Sequence, residues 1–293
     1  MGLLSTDDIF YDQINDKRVI EEWIKNNYHI YGDLTISDDL MVDCNGSVDI
    51  KNKSVTSLTN GLFHWGKVGN DFNCAYCNNL TSLGGAPEKV GGCFSCSRCD
   101  KLTSLEGAPE EVGKNFYCSY CKNLKSLKGA PEEVGEDFTC HCCNNLKTLK
   151  GGPEKVGGRF DFVHCIGLTS LEGAPEEVGR DFDCSYCSNL KSLEGAPKKV
   201  VENFWCNNCY SLKTLEGAPE KVGGGFSCSR CDKLTSLKGT PKEVGGYFYC
   251  NICNNLRTLK GAPEVVRGLA CYNCENLTIT DSDHKKYKIC NLS

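Results

Sequence analysis

The chain has 293 residues, with 33 basic against 38 acidic side chains, 40% hydrophobic residues and 23 cysteines. The apolar share is high enough to build a core, which excludes a disordered chain. The mild acidic balance provides no phosphate-neutralising surface at the level of composition, so no nucleic-acid partner is expected. No apolar stretch reaches the roughly 18 residues of a membrane-spanning helix. The opening Met1–Asp8 has neither a basic n-region nor an apolar h-region. No membrane partner is expected, and the location is expected to be cytoplasmic. Gly2 with Thr6 loosely fits a myristoylation pattern, but no polybasic patch accompanies it.

In chain order, residues 14–28 place Val19, Ile20, Trp23 and Ile24 on one helical face. Residues 1–45 therefore read as an N-terminal cap whose helix closes the apolar end of the downstream segment. Degenerate strands are expected at Leu34–Ile36 and Val48–Ile50, where apolar residues alternate.

Residues 46–270 hold about ten units of the form V-G-x-x-F-x-C-x-x-C-x-x-L-x-S-L-x-G-A-P-x-x, with anchors every 22 residues. Phenylalanine recurs from Phe72 to Phe248, and leucine pairs recur from Leu80/Leu83 to Leu256/Leu259. All nine prolines, Pro87 to Pro263, occupy one repeat position. A fixed period of this size is the signature of a solenoid, in which each coil buries its apolar face only against its neighbours. The alternation in F-x-C predicts one short strand per coil, and successive strands are expected to pair in parallel at about 4.8 Å. Gly-Ala-Pro breaks any helix, so the return arm is expected to be extended or a 3₁₀ turn. Residues 271–293, where the pattern decays through Leu277 and Ile279 into a charged tail, read as a C-terminal cap.

The stretch F-x-C-x-x-C-x-x-L-x-S-L resembles the cysteine-containing leucine-rich-repeat core L-x-L-x-x-(N/C)-x-L. On that resemblance Phe116 and Cys118 take the two strand leucines and Cys121 the Asn/Cys position. The phrase Leu102–Gly113 is similar to units in uncharacterised repeat proteins of tailed phages, giant viruses and some microbes. BspA-like repeats are also similar, with spacing that differs by one residue. The resemblance covers about residues 46–280. It implies a right-handed leucine-rich-repeat-type coil with a concave parallel sheet that commonly recognises proteins, and it implies no catalytic residues.

Eight units carry C-x-x-C in one register: Cys74/Cys77, Cys96/Cys99, Cys118/Cys121, Cys140/Cys143, Cys184/Cys187, Cys206/Cys209, Cys228/Cys231 and Cys250/Cys253. Cys271/Cys274 follows with a one-residue slip. Taken singly, such pairs suggest zinc. Three features weigh against metal. Free cysteine behaves as a small buried hydrophobe at positions the interior needs. The fifth unit replaces its first cysteine with Phe162, a change that packing tolerates and a ligand position does not. Stacked equivalents would form a straight row about 4.8 Å apart rather than a tetrahedron. The columns are therefore expected to form a structural thiol ladder, in which the second cysteine donates its S–H to backbone carbonyls as an asparagine ladder would. Metal or cluster binding and disulfides are the alternatives, since the row spacing also lies within the range of a bridge. Cys93 and Cys142 fall outside the ladder on expected exposed positions and are the candidate reactive thiols; Cys44 and Cys290 fall in the caps.

Variable positions report what each coil shows to solvent. They include Tyr76, Arg98, Tyr117, Tyr120, His141, His164, Tyr186, Trp205, Arg230 and Tyr249, expected to lie on the concave strand face. Tyr, Trp and Arg are enriched in binding hot spots, although strands favour aromatics in any case. His141 and His164, one repeat apart beside Cys142 and Cys165, make a transition-metal site conceivable. No nucleophile elbow, phosphate loop, H-E-x-x-H or paired carboxylates are recognisable, and no cofactor is expected. The expected function is a non-enzymatic scaffold that binds a protein. A metal- or cluster-binding protein and a surface adhesin are the alternatives.

Overall fold

The computed structural model describes residues 17–289; the Gly2/Thr6 pattern and Cys290 lie outside them. The chain forms a β-solenoid of about ten turns with one mostly parallel sheet and very little helix. Among the described residues no helix is long and apolar enough to cross a membrane.

The first element is the expected cap helix, α1 (Lys17–Asn27). Ile20 and Ile24, four residues apart, are buried beneath it, and Trp23 is partly buried. Val19 sits at the margin of that face and is exposed. Four strands come next: β1 (Tyr28–Tyr31), β2 (Leu34–Ile36), β3 (Met41–Cys44) and β4 (Ser47–Ile50). They supply the two antiparallel pairings of the sheet, β1 with β4 and β2 with β3. Tyr28, Phe63, Trp65 and Phe72 meet edge-on or tilted, with ring centroids 5.4–6.3 Å apart. This aromatic knot seals the first coil.

Each coil contributes two strands rather than the one expected. One is the phenylalanine strand, such as Phe116–Tyr117; the other is a valine strand, such as Glu111–Val112. Both pair in parallel with their equivalents one coil away, Phe116 with Phe94 and Phe138, Val134 with Val112 and Val156. The valine strand is hidden in the sequence because only one of its two side chains is buried, which leaves too little alternation to mark it.

Two tight turns close the coil. In one, the Leu102 amide donates to the Cys99 carbonyl (3.1 Å); in the other, the Ala108 amide donates to Leu105 (2.9 Å). Gly107, third in the second turn, has φ +86, which gives the glycine-requiring type II form. The return arm is thus a turn followed by extended chain. The interior is a set of straight columns of Phe, Cys and Leu, all buried. Phenylalanine rings stack along the axis, as at Phe116–Phe138 (5.1 Å) and Phe204–Phe226 (5.0 Å). At the fifth unit the larger Phe162 meets Phe160 edge-on at 4.5 Å, and Phe160 is tilted against both Phe138 and Phe182.

At the far end Thr280 caps a short helix, α2 (Asp281–Lys286), through a capping box with Asp283. The chain then returns under the last coil. Tyr287 is buried with its hydroxyl donating to the Ala262 carbonyl, and the Leu269 amide donates to Lys288 O (3.0 Å). Leu269 also bridges Ile289. The tail covers an edge that would otherwise expose unpaired strand groups.

Candidate functional site

The phenylalanine arm positions the ten candidate contact residues and the C-x-x-C ladder. Its amides bond forward: Phe94 N to Asn115 O (2.9 Å), Cys96 N to Tyr117 O (2.9 Å), Arg98 N to Ser119 O (2.8 Å). Between the last two the chain leaves the strand, because the residue before the second cysteine adopts positive φ in coil after coil, from Tyr76 (65°) to Asn273 (55°). This departure turns the amide of the preceding residue away from its ladder partner. That amide bonds side chains instead, as Ala75 N does to Asn73 Oδ1 (2.9 Å), Val163 N to Asp161 Oδ1 (3.1 Å) and His141 N to Ser119 Oγ (3.0 Å).

The carbonyl of the first cysteine is taken by a thiol. Cys99 Sγ donates to Cys74 O at 3.2 Å, Cys121 to Cys96 O at 3.2 Å, Cys143 to Cys118 O at 3.2 Å and Cys165 to Cys140 O at 2.9 Å. The series continues through Cys209 to Cys184 O (3.3 Å), Cys231 to Cys206 O (3.2 Å) and Cys253 to Cys228 O (3.3 Å). The second cysteine thus satisfies a buried acceptor at each turn, where an unmet one costs about 1–3 kcal/mol. The acceptor is backbone, so Phe162 in place of the first cysteine leaves the ladder intact: Cys187 Sγ donates to Phe162 O at 3.4 Å. Every described cysteine is free. Burial raises the thiols of Cys74, Cys118, Cys184, Cys206, Cys228 and Cys250, so the first-cysteine column stays protonated at neutral pH. In the second column burial pushes Cys77 up to about 12, whereas contact with Cys74 and Cys228 lowers Cys99 and Cys253.

A second ladder was not expected from the sequence. The residue before the first leucine is often asparagine, and its Nδ2 donates to the preceding coil. Asn123 reaches Asp100 O (2.8 Å), Asn145 Lys122 O (2.8 Å), Asn189 Ile166 O (2.8 Å) and Asn255 Asp232 O (2.7 Å). The recurring Asn-Leu dipeptide was the available signal.

The ten candidate contact residues do not share one face. Tyr117, Trp205 and Tyr249 follow phenylalanine on the strand, and His141 follows a first cysteine. Tyr76, Arg98, Tyr120, His164, Tyr186 and Arg230 occupy the positive-φ position and form a column at the turn. Within that column Arg98 lies between two rings, 5.5 Å from Tyr76 and 4.3 Å from Tyr120. His164 stacks on Tyr186 at 4.2 Å. Tyr76, Tyr120 and Tyr186 remain 57%, 41% and 40% exposed. Cys142 shares this column, Cys93 precedes a phenylalanine, and both are half-buried. The two histidines point to different partners, since His141 Nε2 lies 2.8 Å from Asp161 Oδ1. Among the described residues no three His, Cys, Asp or Glu side chains are grouped to hold a metal ion.

The strand face also assembles charges that lay apart in the sequence. Asp161 and Asp183 are in register on adjacent strands, Trp205 is in register with Asp183, and Arg159 Nε contacts Asp181 Oδ2 at 3.1 Å. Arg159, Asp161, Asp181, Asp183 and Trp205 line a cavity of about 130 Å³. Burial, and then the charge of Asp161, push the Asp183 carboxyl up to about 6; Asp161 raises His141 by contact and charge. Both shifts act in one direction. An acid with a raised folded pKa is destabilising once ionised, and a histidine with a raised one loses its stabilising effect as it deprotonates. Stability is therefore expected to fall as pH rises from about 4 to about 7. Asp183→Asn keeps the acceptor for Ser185 N (2.8 Å). It is expected to gain on the order of 1 kcal/mol over the parent at pH 7 and nothing at pH 4, measured by denaturant titration at both.

No known protein family, curated protein or solved structure matches the chain.

Proposed function

We propose that this chain is a non-catalytic, leucine-rich-repeat-like scaffold that binds a protein partner across the phenylalanine-strand face and the adjoining turn column. The observation that carries this reading is the column Tyr76, Arg98, Tyr120, His164 and Tyr186 at positive φ. A left-handed backbone costs a non-glycine residue about 1–2 kcal/mol, and glycine or asparagine relieves it. Large aromatic and cationic side chains at that position spend stability to present contact groups, which is the pattern of a functional site. The thiol ladder supports a reducing compartment such as the cytoplasm, because a disulfide sulfur has no proton to donate.

The test compares a triple variant, Arg98→Ala, Tyr120→Ala and Tyr186→Ala, with Lys198→Ala on the opposite arm. Proteins cross-linked from cell extract by a photoreactive group at the turn column are identified first, and their affinities are then measured with purified partner. The triple variant is expected to bind at least about 30-fold more weakly, with Lys198→Ala unchanged. Equal loss in both variants, or none in the triple, would remove the turn column from the interface.

A further inference from the structure

The position after the first leucine of each unit forms an exposed column of Lys125, Lys147, Lys191, Lys213 and Arg257, interrupted by threonine. The column is continuous through its own backbone: Lys147 N donates to Lys125 O (3.2 Å), Lys213 N to Lys191 O (3.0 Å) and Arg257 N to Thr235 O (3.2 Å). Lysine therefore stacks directly on lysine in two places. In other columns like charges also stack, as Lys199 does on Lys221 and Glu133 on Glu111, but there many of the lysines reach a carboxylate one coil away. Lys128 pairs with Glu106 (2.6 Å), Lys150 with Glu172 (2.8 Å), Lys199 with Glu177 (2.7 Å) and Lys238 with Glu216 (2.7 Å), all one coil apart. No carboxylate among the described residues pairs with any cation of the column. Like charges about 4.8 Å apart repel, so this stripe stores positive potential that an external anion would relieve. At its end Lys213, Lys233, Thr235, Asn255 and Arg257 line a groove of about 380 Å³.

We propose that this basic stripe is a docking surface for a linear anionic polysaccharide, running along the solenoid axis and separate from the face assigned to a protein partner. Three features select that occupant. The cations stand one or two coils apart, and the coil spacing is close to the advance of one sugar along a pyranoside chain. In an extended acidic peptide, side chains of one face recur at about 6.6–6.8 Å and drift out of register. Beside the cations runs a hydroxyl column. Thr148 and Ser104 of this column donate to Glu172 O and Glu106 Oε2. Thr214 and Thr258 instead accept the amides of Glu216 and Lys260 at 3.2 Å, which leaves these two O–H groups, beside Lys213 and Arg257, to donate to sugar or sulfate oxygens. The cation and hydroxyl columns contain no aromatic side chain on which nucleic-acid bases could stack.

Binding of a fluorescent heparin octasaccharide to the full chain tests this by anisotropy. Affinity is expected to fall steeply between about 50 and about 200 mM salt. Lys125→Glu, Lys147→Glu, Lys191→Glu and Lys213→Glu together are expected to weaken it at least about 100-fold. The four matching Lys→Arg changes should preserve it, and circular dichroism should show both variants folded. An uncharged dextran of equal length should not compete. Unchanged binding by the Glu variant, or competition by poly-L-glutamate or oligo-dT at concentrations equal to heparin, would overturn the assignment. Loss of partner binding by the turn-column variants leaves this result unaffected, because the two surfaces share no residue.

Discussion

Gly129→Ala is expected to destabilise the solenoid by at least about 3 kcal/mol. Gly129 has φ +85, and a Cβ there would lie 2.5 Å from the Glu106 Cα of the preceding coil. The obstacle is backbone, and it cannot move aside without breaking the rungs on both sides of it. Gly61 provides the control. It has φ +72, with nothing within 4 Å of an added Cβ, so Gly61→Ala should cost only the conformational term of about 1 kcal/mol. Denaturant midpoints followed by circular dichroism measure both. Equal effects would mean that torsional preference alone, not coil-to-coil contact, demands glycine at the turn.

Cys209→Ala is expected to cost about 2–4 kcal/mol, the sum of an orphaned Cys184 carbonyl and a small cavity. Cys209→Ser should cost less, because a hydroxyl can still donate to the carbonyl now 3.3 Å from the thiol. The order should reverse one column away. Cys184 is fully buried and serves mainly to fill space, so Cys184→Ser buries a polar group whereas Cys184→Ala loses only packing, about 1–2 kcal/mol. The crossed ranking separates the hydrogen-bonding thiol of Cys209 from the packing thiol of Cys184, whose column also holds a donor at Cys206, 3.3 Å from Ser227 O. If serine and alanine rank alike at both positions, the thiol ladder does not contribute as a donor. The fifth unit already illustrates the asymmetry: its first cysteine has become Phe162 while its second, Cys165, still donates to Cys140 O.

The solenoid and much of its interior were legible because every anchor repeats with one period. A period of 22 residues puts Phe116 over Phe94 and Cys121 over Cys99 whatever the intervening path. Even the thiol-to-carbonyl role of the second cysteine followed from its place in the repeat. The candidate contact residues were less legible. Tyr120 and Tyr117 stand three apart in F-Y-C-S-Y-C and look equivalent, yet Tyr117 lies on the strand and Tyr120 at a positive-φ turn.

The sequence by itself determined which residues stack, because the repeat length alone assigns each side chain to a column. Tertiary structure decided what each column meets sideways. The turn at Arg98 withdraws an amide and creates the acceptor that the thiols fill. The register of neighbouring strands brings Asp161 against Asp183 and His141. The lysines of the basic stripe share one repeat position, so the sequence already stacks them; the fold decides that they face solvent. Periodicity is a property of one dimension, whereas the meeting of columns depends on backbone torsions that the same spacing permits in more than one form.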